Sequence, residues 1–364
     1  MALKRSKKNI QNNYFMSLAF EQAKINLGST GLNPSVGSII VKNESVISSG
    51  HTMINGRPHA EKVSLNRNVN YNNSSMYVTL EPCSHYGKTS PCTNQIVKKK
   101  IKKVFFSIFD IDKKSSKKAI KILKNKYIYA NCGLKKKYGK YFYESYFSSR
   151  NKKLPFICSK IAVSKDYFTI SKKSRWITNS HSRKRVHFLR SQYNCIVSTS
   201  SSINKDNSLL NCRIEGLEKK SPDVVIFDRN LKLKKNLKIL LNSKFRKIFL
   251  ITSTTNNIKE KYLKKKNIKI IKIKNMKTCE DYKKIFISLN KKGYSRIFVE
   301  SGLTFLNFLI KGKFLNYLYL FKSLNNLKMN GLNHSKSYYI KKLKLNNKIQ
   351  VNLFGDLLYK VKLK

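Results

Sequence analysis

The chain is poor in acid. Its 364 residues hold 18 aspartates and glutamates against 76 lysines and arginines, a formal net charge of +58. Tryptophan occurs once, histidine and proline six times each, and cysteine seven times. Each shortage excludes something. The odd cysteine set at 83, 92, 132, 158, 195, 212 and 279 is no framework for a small disulfide-stapled protein. It suits a reducing compartment in which thiols serve a metal or a reaction. No apolar run approaches the roughly 18 residues of a membrane span. The basic start MALKRSKKNIQNN is not followed by the apolar segment of a secretion signal. A cytoplasmic protein with no membrane partner is expected.

Taken alone, the charge suggests a nucleic-acid partner. Lysine, asparagine, isoleucine, tyrosine and phenylalanine are all abundant, however, and all have AT-rich codons. The lysines are spread along the chain, so they read as solvated faces enriched by composition drift. No nucleic-acid module accompanies them, and no specific nucleic acid is expected.

Length favours two domains, and 41% hydrophobic residues with 11% aromatics can fill two cores. Apolar residues Phe15, Leu18, Ala19 and Ile25 before Gly28 predict a helix over 14–27. Strands follow over 36–50, in two arms about Asn43-Glu44, and at 75–80 and 103–109. Helices are expected at 59–67, opened by Pro58, at 92–100 and near 115–125. The polar stretch SSRNKKLP (148–155) reads as a linker. Beyond it, apolar runs at 156–163, 194–198, 223–228, 247–252, 268–273 and 296–300 predict a second set of strands separated by helices. Two α/β domains are expected, 1–149 and 150–364, each with a mixed or parallel sheet. Lys/Asn-rich segments at 231–243 and 323–349 read as loops or solvated helices.

Scarce residues gather in one place. Residues 51–92 hold His51, His59, His85, Cys83, Cys92, Pro58, Pro82 and Pro91. One imidazole (His59) and two thiolates (Cys83 and Cys92) fill three positions of a tetrahedral zinc site and leave the fourth for water. Glu61, two residues after His59, can stay beside the metal as a proton carrier without being a ligand. Zinc lowers the pKa of its water toward about 7, which makes hydrolysis possible at neutral pH. The order His-x-Glu, then Pro-Cys, then a second Cys is the pattern of zinc deaminases. His85 fits a substrate contact better than a fourth ligand, because a catalytic zinc needs an open position. The cysteines are separated by SHYGKTSP where nucleoside deaminases have two residues. That loop, with Ser84, His85, Lys88 and Thr89, suits a small anionic substrate. A tRNA deaminase with a basic C-terminal binding domain and a non-catalytic zinc scaffold are the alternatives. The long inter-cysteine loop disfavours the first and Glu61 the second.

NPSVG (33–37), GH (50–51), PHAE (58–61) and TLEPCSHYGKTSPC (79–92) together resemble the bifunctional deaminase–reductase family of riboflavin biosynthesis. SKIAVSKD (159–166), SRWIT (174–178), FLRSQYNCIVSTSSSINKDNSLLNCR (188–213) and FVESG (298–302) extend the resemblance to about residue 311. It implies a cytidine-deaminase-like zinc domain followed by a dihydrofolate-reductase-like domain that uses NADPH. It also implies a phosphoribosyl pyrimidine substrate and a homo-oligomer. Substrate contacts carried over are Asn33, His51, His85 and Lys88 in the first half. In the second they are Lys160, Ser174, Arg190, Leu210, Arg213 and Glu300, with the arginines gripping phosphate. Ala162, Val163, Trp176, Ser202, Asp206, Ser301 and Gly302 would meet NADPH. The chain departs from the family where DIDKKSSKKA (110–119) replaces Asp-Pro-Asn-Pro and two glycines, which predicts a reshaped loop. It departs again where Asp166-Tyr167 replaces Asp-Gly, and where Leu303 replaces a proline. A tyrosine at 167 is expected to resist positive φ.

Overall fold

The computed structural model describes residues 2–87, 89–333 and 337–364. The chain forms two compact units, Met1–Leu154 and Pro155–Lys364. The first runs α1 (Ala2–Ile25), β1 (Gly37–Lys42), β2 (Ser45–His51), α2 (Ala60–Ser64), β3 (Ser75–Val78), α3 (Cys92–Lys98), β4 (Lys103–Phe106), α4 (Ala119–Lys124), β5 (Tyr129–Cys132), α5 (Lys136–Phe142) and α6 (Glu144–Asn151). Its sheet has the order β2-β1-β3-β4-β5, with β1 antiparallel to both neighbours and β3, β4 and β5 parallel. The hairpin turns at Asn43 and Glu44, both at positive φ, the backbone whose twist matches the flanking strands.

Helix α1 buries Phe15, Met16, Ala19, Phe20 and Ala23, a stripe at helical spacing. Ile25, expected on that face, is exposed. Helices approach the hairpin at glycines. A Cβ on Gly37 would lie 1.9 Å from the Ala19 carbonyl oxygen, and one on Gly50 would lie 2.5 Å from that of Ala60. Only hydrogen at these positions lets α1 and α2 lie so close to β1 and β2. The expected linker at 148–155 begins inside α6, whose last residue is Asn151.

The second unit runs β6 (Phe156–Val163), β7 (Ile170–Ser171), α7 (Ser180–Arg190), β8 (Cys195–Thr199), α8 (Ser200–Asp206), β9 (Asp223–Phe227), α9 (Lys238–Leu241), β10 (Ile248–Thr252), α10 (Asn257–Lys265), β11 (Ile268–Lys272), α11 (Cys279–Lys291), β12 (Arg296–Val299), α12 (Leu303–Lys311), β13 (Tyr317–Lys322), β14 (Gly331–Leu332), α13 (Tyr338–Lys341) and β15 (Leu357–Lys362). Its large sheet has the order β11-β10-β9-β8-β12-β6-β13-β15. All neighbours are parallel except β15, which is antiparallel to β13. Parallel strands covered on both faces need apolar residues throughout, which is why β9 and β10 are almost wholly buried. The chain steps outward from β8 to β11, then returns to insert β12 between β8 and β6. Ligands favour the carboxyl ends of strands at such a reversal.

Tyr167 does adopt positive φ, at 66°. Its N–H donates to the Ser164 carbonyl (3.0 Å), and the Lys322 ammonium lies 4.3 Å from its ring centroid. The Asp166 carboxylate accepts N–H bonds from Leu327 and Lys328. Local bonds thus hold a turn that the family makes with glycine.

Because Gly37 has no room for a methyl group, Gly37→Ala should destabilise the first unit by about 1–3 kcal/mol, as overpacking does elsewhere. Hydrogen exchange of the β1 amides should accelerate accordingly, with the second unit unaffected.

Candidate functional site

In the first unit, His59 caps α2, Cys83 lies in the loop after β3, and Cys92 begins α3. Their donor atoms lie within 4.8 Å of one another. Nδ1 of His59 is 3.6 Å from Cys83 Sγ and 3.4 Å from Cys92 Sγ. In a tetrahedral site with Zn–S about 2.3 Å and Zn–N about 2.0 Å, such donors stand about 3.5 Å apart. The donor set therefore fits zinc in both chemistry and spacing. The Cys92 backbone N–H donates to Cys83 Sγ (3.3 Å). A hydrogen bond from the Cys92 thiol draws Cys83 down to about 4, and the same bond with burial raises Cys92.

Glu61 sits in the first turn of α2 and is 4% exposed. Burial pushes its carboxyl up to about 7, against the opposing pull of His59. His85 stands outside the three-donor cluster, with Nδ1 2.8 Å from Ser115 Oγ. Asn33 donates to the Gly56 carbonyl (3.2 Å), three residues before His59. His51 ends β2, with Nδ1 3.4 Å from Gln22 Oε1. Lys88, an expected substrate contact, lies outside the described residues.

Sequence reasoning missed Glu81, Ser115 and Arg57. The Glu81 carboxylate accepts N–H bonds from Asp110 (3.1 Å), Lys117 (3.0 Å) and Ala119 (3.1 Å), so it fixes the reshaped 110–119 loop at both ends. Its place in the TLEPC motif was the only signal for it. Ser115 and Arg57 had none.

In the second unit, Glu300 and Gly302 follow β12, and Ser202 lies in the first turn of α8. The Gly302 N–H donates to Ser202 Oγ (3.0 Å), which joins two expected cofactor residues across the strand reversal. A Cβ on Gly302 would meet only Ser202 Oγ, at 3.8 Å, and α12 has no side-chain cap. An open helix start with uncapped first-turn N–H groups fits a phosphate-bearing cofactor such as NADPH. Trp176 is 53% exposed, with the guanidinium of Arg183 4.6 Å and that of Arg175 5.1 Å from its ring centroid. Arg175 also donates to the Asp206 carbonyl (2.8 Å), which ties the Trp176 segment to the end of α8. Ser174 Oγ donates to the Trp176 carbonyl, and Ser301 is half-buried. On β6, Val163 is fully buried whereas Ala162 stays partly open.

Arg190 departs from its expected role. Its Nε and Nη2 donate to the two Glu300 oxygens (2.6 and 3.0 Å), and Nη1 donates to the Asn211 carbonyl (2.8 Å). A fork closed on a carboxylate is not open to a phosphate. Burial alone would raise Glu300, but the Arg190 charge and hydrogen bonds outweigh it and hold the carboxyl below its usual range. Lys160 Nζ lies 3.7 Å from the same carboxylate. Arg213 is exposed. Leu210 is buried at φ 54°, and its carbonyl accepts from Arg246 (2.8 Å).

His187, also missed, lies against this group, with Nδ1 2.9 Å from the Asn211 carbonyl and 3.2 Å from Arg190 Nη1. Burial, then the charges of Arg190 and Arg213, push its imidazole down to about 4. Its folded value is thus below the unfolded value of about 6.5, so the fold favours the neutral ring. The stability contributed is complete above about pH 6.5 and drains as pH falls toward 4. Trp176, the single tryptophan, reports unfolding of this unit. Urea midpoints read by its fluorescence should fall across that window, and His187→Asn should flatten the slope.

For the metal, Cys83→Ser should lose most bound zinc, because a neutral hydroxyl is a far poorer ligand than a thiolate. Cys132→Ser, away from the cluster, should keep it. Elemental analysis of the purified proteins decides, and stoichiometric zinc in Cys83→Ser would refute the ligand set.

Comparison with known proteins agrees with both halves. Residues 9–108 match the cytidine and deoxycytidylate deaminase zinc-binding region, and residues 155–322 match the RibD C-terminal domain. The riboflavin biosynthesis protein RibD of Aquifex aeolicus is 31% identical over 317 residues, covering 86% of this chain and 87% of that protein. That of Chlamydia pneumoniae is 28% identical over 327 residues, or 85% and 84% of the two chains. The solved structure of Acinetobacter baumannii RibD superposes with a TM-score of 0.82 at 25% identity, covering 97% of this chain and 99% of that one. With the deaminase zinc region at one end, the reductase domain at the other and this identity along most of both chains, the protein belongs to the RibD family of riboflavin biosynthesis, bifunctional deaminases and reductases.

Proposed function

We propose that the first unit hydrolytically removes the 2-amino group of 2,5-diamino-6-ribosylamino-4(3H)-pyrimidinone 5′-phosphate. The second then reduces the ribosyl group of 5-amino-6-(5-phosphoribosylamino)uracil to ribityl. The boundary between the activities is taken at the expected 149/150 division, supported by two compact units that part five residues later, at Leu154/Pro155. The observation that carries the reading is a three-donor cluster of zinc geometry beside one buried carboxylate. Zinc held by His59, Cys83 and Cys92 supplies an acidified water. Glu61, with its carboxyl near 7, accepts a proton from the attacking water and returns it to the departing amine. Asn33, His51, His85 and Lys88 hold the pyrimidine and its phosphate in this reading.

In the second unit NADPH supplies the hydride. Ala162, Val163, Trp176, Ser202, Asp206, Ser301 and Gly302 hold the cofactor, Val163 through its backbone because its side chain is fully buried. Lys160, Ser174, Leu210, Arg213 and Glu300 hold the phosphoribosyl compound. Arg190 acts as a positioning residue that orients Glu300, which leaves Arg213 as the phosphate fork. A cytoplasmic setting and self-association complete the reading. The seven free cysteines support a reducing compartment, and among the described residues no helix is long and apolar enough to cross a membrane.

Single substitutions should separate the halves. Glu61→Gln should keep zinc, lose deamination by about 10²–10⁴-fold, and still reduce the deaminated pyrimidine. Arg213→Ala should weaken binding of the reductase substrate by about 1.5–3 kcal/mol and leave deamination intact. Product analysis of both mutants with both substrates tests this. Loss of reduction in Glu61→Gln, or loss of deamination in a folded Arg213→Ala, would refute two separate sites.

A further inference from the structure

We propose that Arg57, together with His85, reads the substrate's phosphate at the deamination site, and that Ser115 fixes the ring nitrogen that His85 presents. The inference rests on the deamination reading above and names residues that the zinc motif does not contain. Arg57 is half-buried, two residues before the ligand His59. Its Nη1 donates to Thr89 Oγ1 (2.8 Å). Its Nη2 and His85 Nε2 converge: a Cβ placed on Gly87 would lie 3.7 Å from the first and 4.0 Å from the second. Glycine at 87 keeps the space between them open. Among the described residues no carboxylate pairs with Arg57. A half-buried guanidinium beside a cation-binding cluster calls for an anion, and a phosphate offers oxygens to both a guanidinium and an imidazole.

Ser115 supplies the orientation. It is fully buried, and its hydroxyl lies 2.8 Å from His85 Nδ1. With the Ser115 hydroxyl as donor to Nδ1, the hydrogen stays on Nε2, and the nitrogen facing Gly87 can donate to the anion. The loop that carries Ser115 cannot drift, because Glu81 accepts N–H bonds from Asp110, Lys117 and Ala119. The lysine-rich loop therefore acts through one serine.

The test compares the phosphorylated pyrimidine with its dephosphorylated riboside, using the full chain and its deaminase activity. Arg57→Met should raise KM for the phosphorylated compound by about tenfold or more, with kcat and zinc content unchanged and the riboside unaffected. Ser115→Ala should raise the same KM, and Ser115→Thr, which restores a hydroxyl, should recover it. Ribose 5-phosphate should inhibit the wild type competitively and lose potency against Arg57→Met. Equal changes for both substrates, or none, would overturn the role of Arg57. An unchanged KM in Ser115→Ala would overturn that of Ser115. A wild type without deamination would instead sink the function reading. Calorimetric titration of ribose 5-phosphate, with and without Arg57→Met in an Arg213→Ala background, would then still decide the phosphate claim.

Discussion

Three donor atoms from three separate places in the chain must meet within one coordination sphere, and the first unit is arranged around that constraint. His59 arrives at the cap of α2, Cys83 on the loop after β3, and Cys92 at the start of α3. A single tetrahedral ion holds its donors about 3.5 Å apart, so none of the three arrival points can move far. The approach of α2 is set by Gly50, where a methyl group would strike the Ala60 carbonyl. The approach of α3 is set by the bond from the Cys92 N–H to Cys83 Sγ. Glu61 lies in the first turn of the short helix that His59 caps, so the placement of the ligand also places this buried carboxylate. One five-residue helix thus positions both groups.

The second unit is organised by a buried charge pair rather than by a metal set. Glu300 lies where β12 ends, and Arg190 reaches it from the last turn of α7. Removing one member of such a pair leaves an uncompensated buried charge, a loss of about 3–5 kcal/mol in comparable cases. The pair therefore fixes α7 against the reversal of the sheet, where Ser202 and Gly302 are hydrogen-bonded to each other. His187 stays neutral because it shares this buried neighbourhood with two guanidinium groups. The carboxylate at the crevice is thus oriented by the same contacts that hold the helix down.

Legibility in the sequence followed the physics of each feature. His59, Glu61, Cys83 and Cys92 were readable because rare residue types recur at short spacing. The parallel strands β6 and β8 to β12 were readable because burial on both faces demands apolar runs. Strand β5 was not, since Tyr129 and Asn131 on it are exposed and leave only alternate positions apolar. Strand β15, at the sheet edge, was hidden by Lys360 and Lys362. The partner of Arg190 lies 110 residues away, and no local pattern could show that its fork closes on Glu300. The turn at Tyr167 misled in the other direction. Glycine is the usual residue at positive φ, but hydrogen bonds to Ser164 and Asp166 and a lysine over the ring hold a tyrosine there.

In a chain this poor in acid, several carboxylates do work that no lysine could. Among the described residues no lysine is buried, and Arg190 is the one buried cation. The positive excess therefore sits on solvated surface, where an exchange for lysine disturbs little packing. The acids do different work. Glu81 accepts three backbone N–H groups, Asp166 two, and Asp228 two together with the Ser200 hydroxyl. Asp281 closes the capping box of α11, and Asp356 accepts from Asn179 and Ser182 at the start of α7. Each satisfies donors that would otherwise be left unpaired, and a lysine, which carries no acceptor, would fail at every one. Glu300 belongs to the same set, accepting from Arg190, while Glu61 is buried beside the three-donor cluster. With acid so scarce, these carboxylates stand where donors require an anion, while Glu21 and Glu280 lie exposed and paired with lysines.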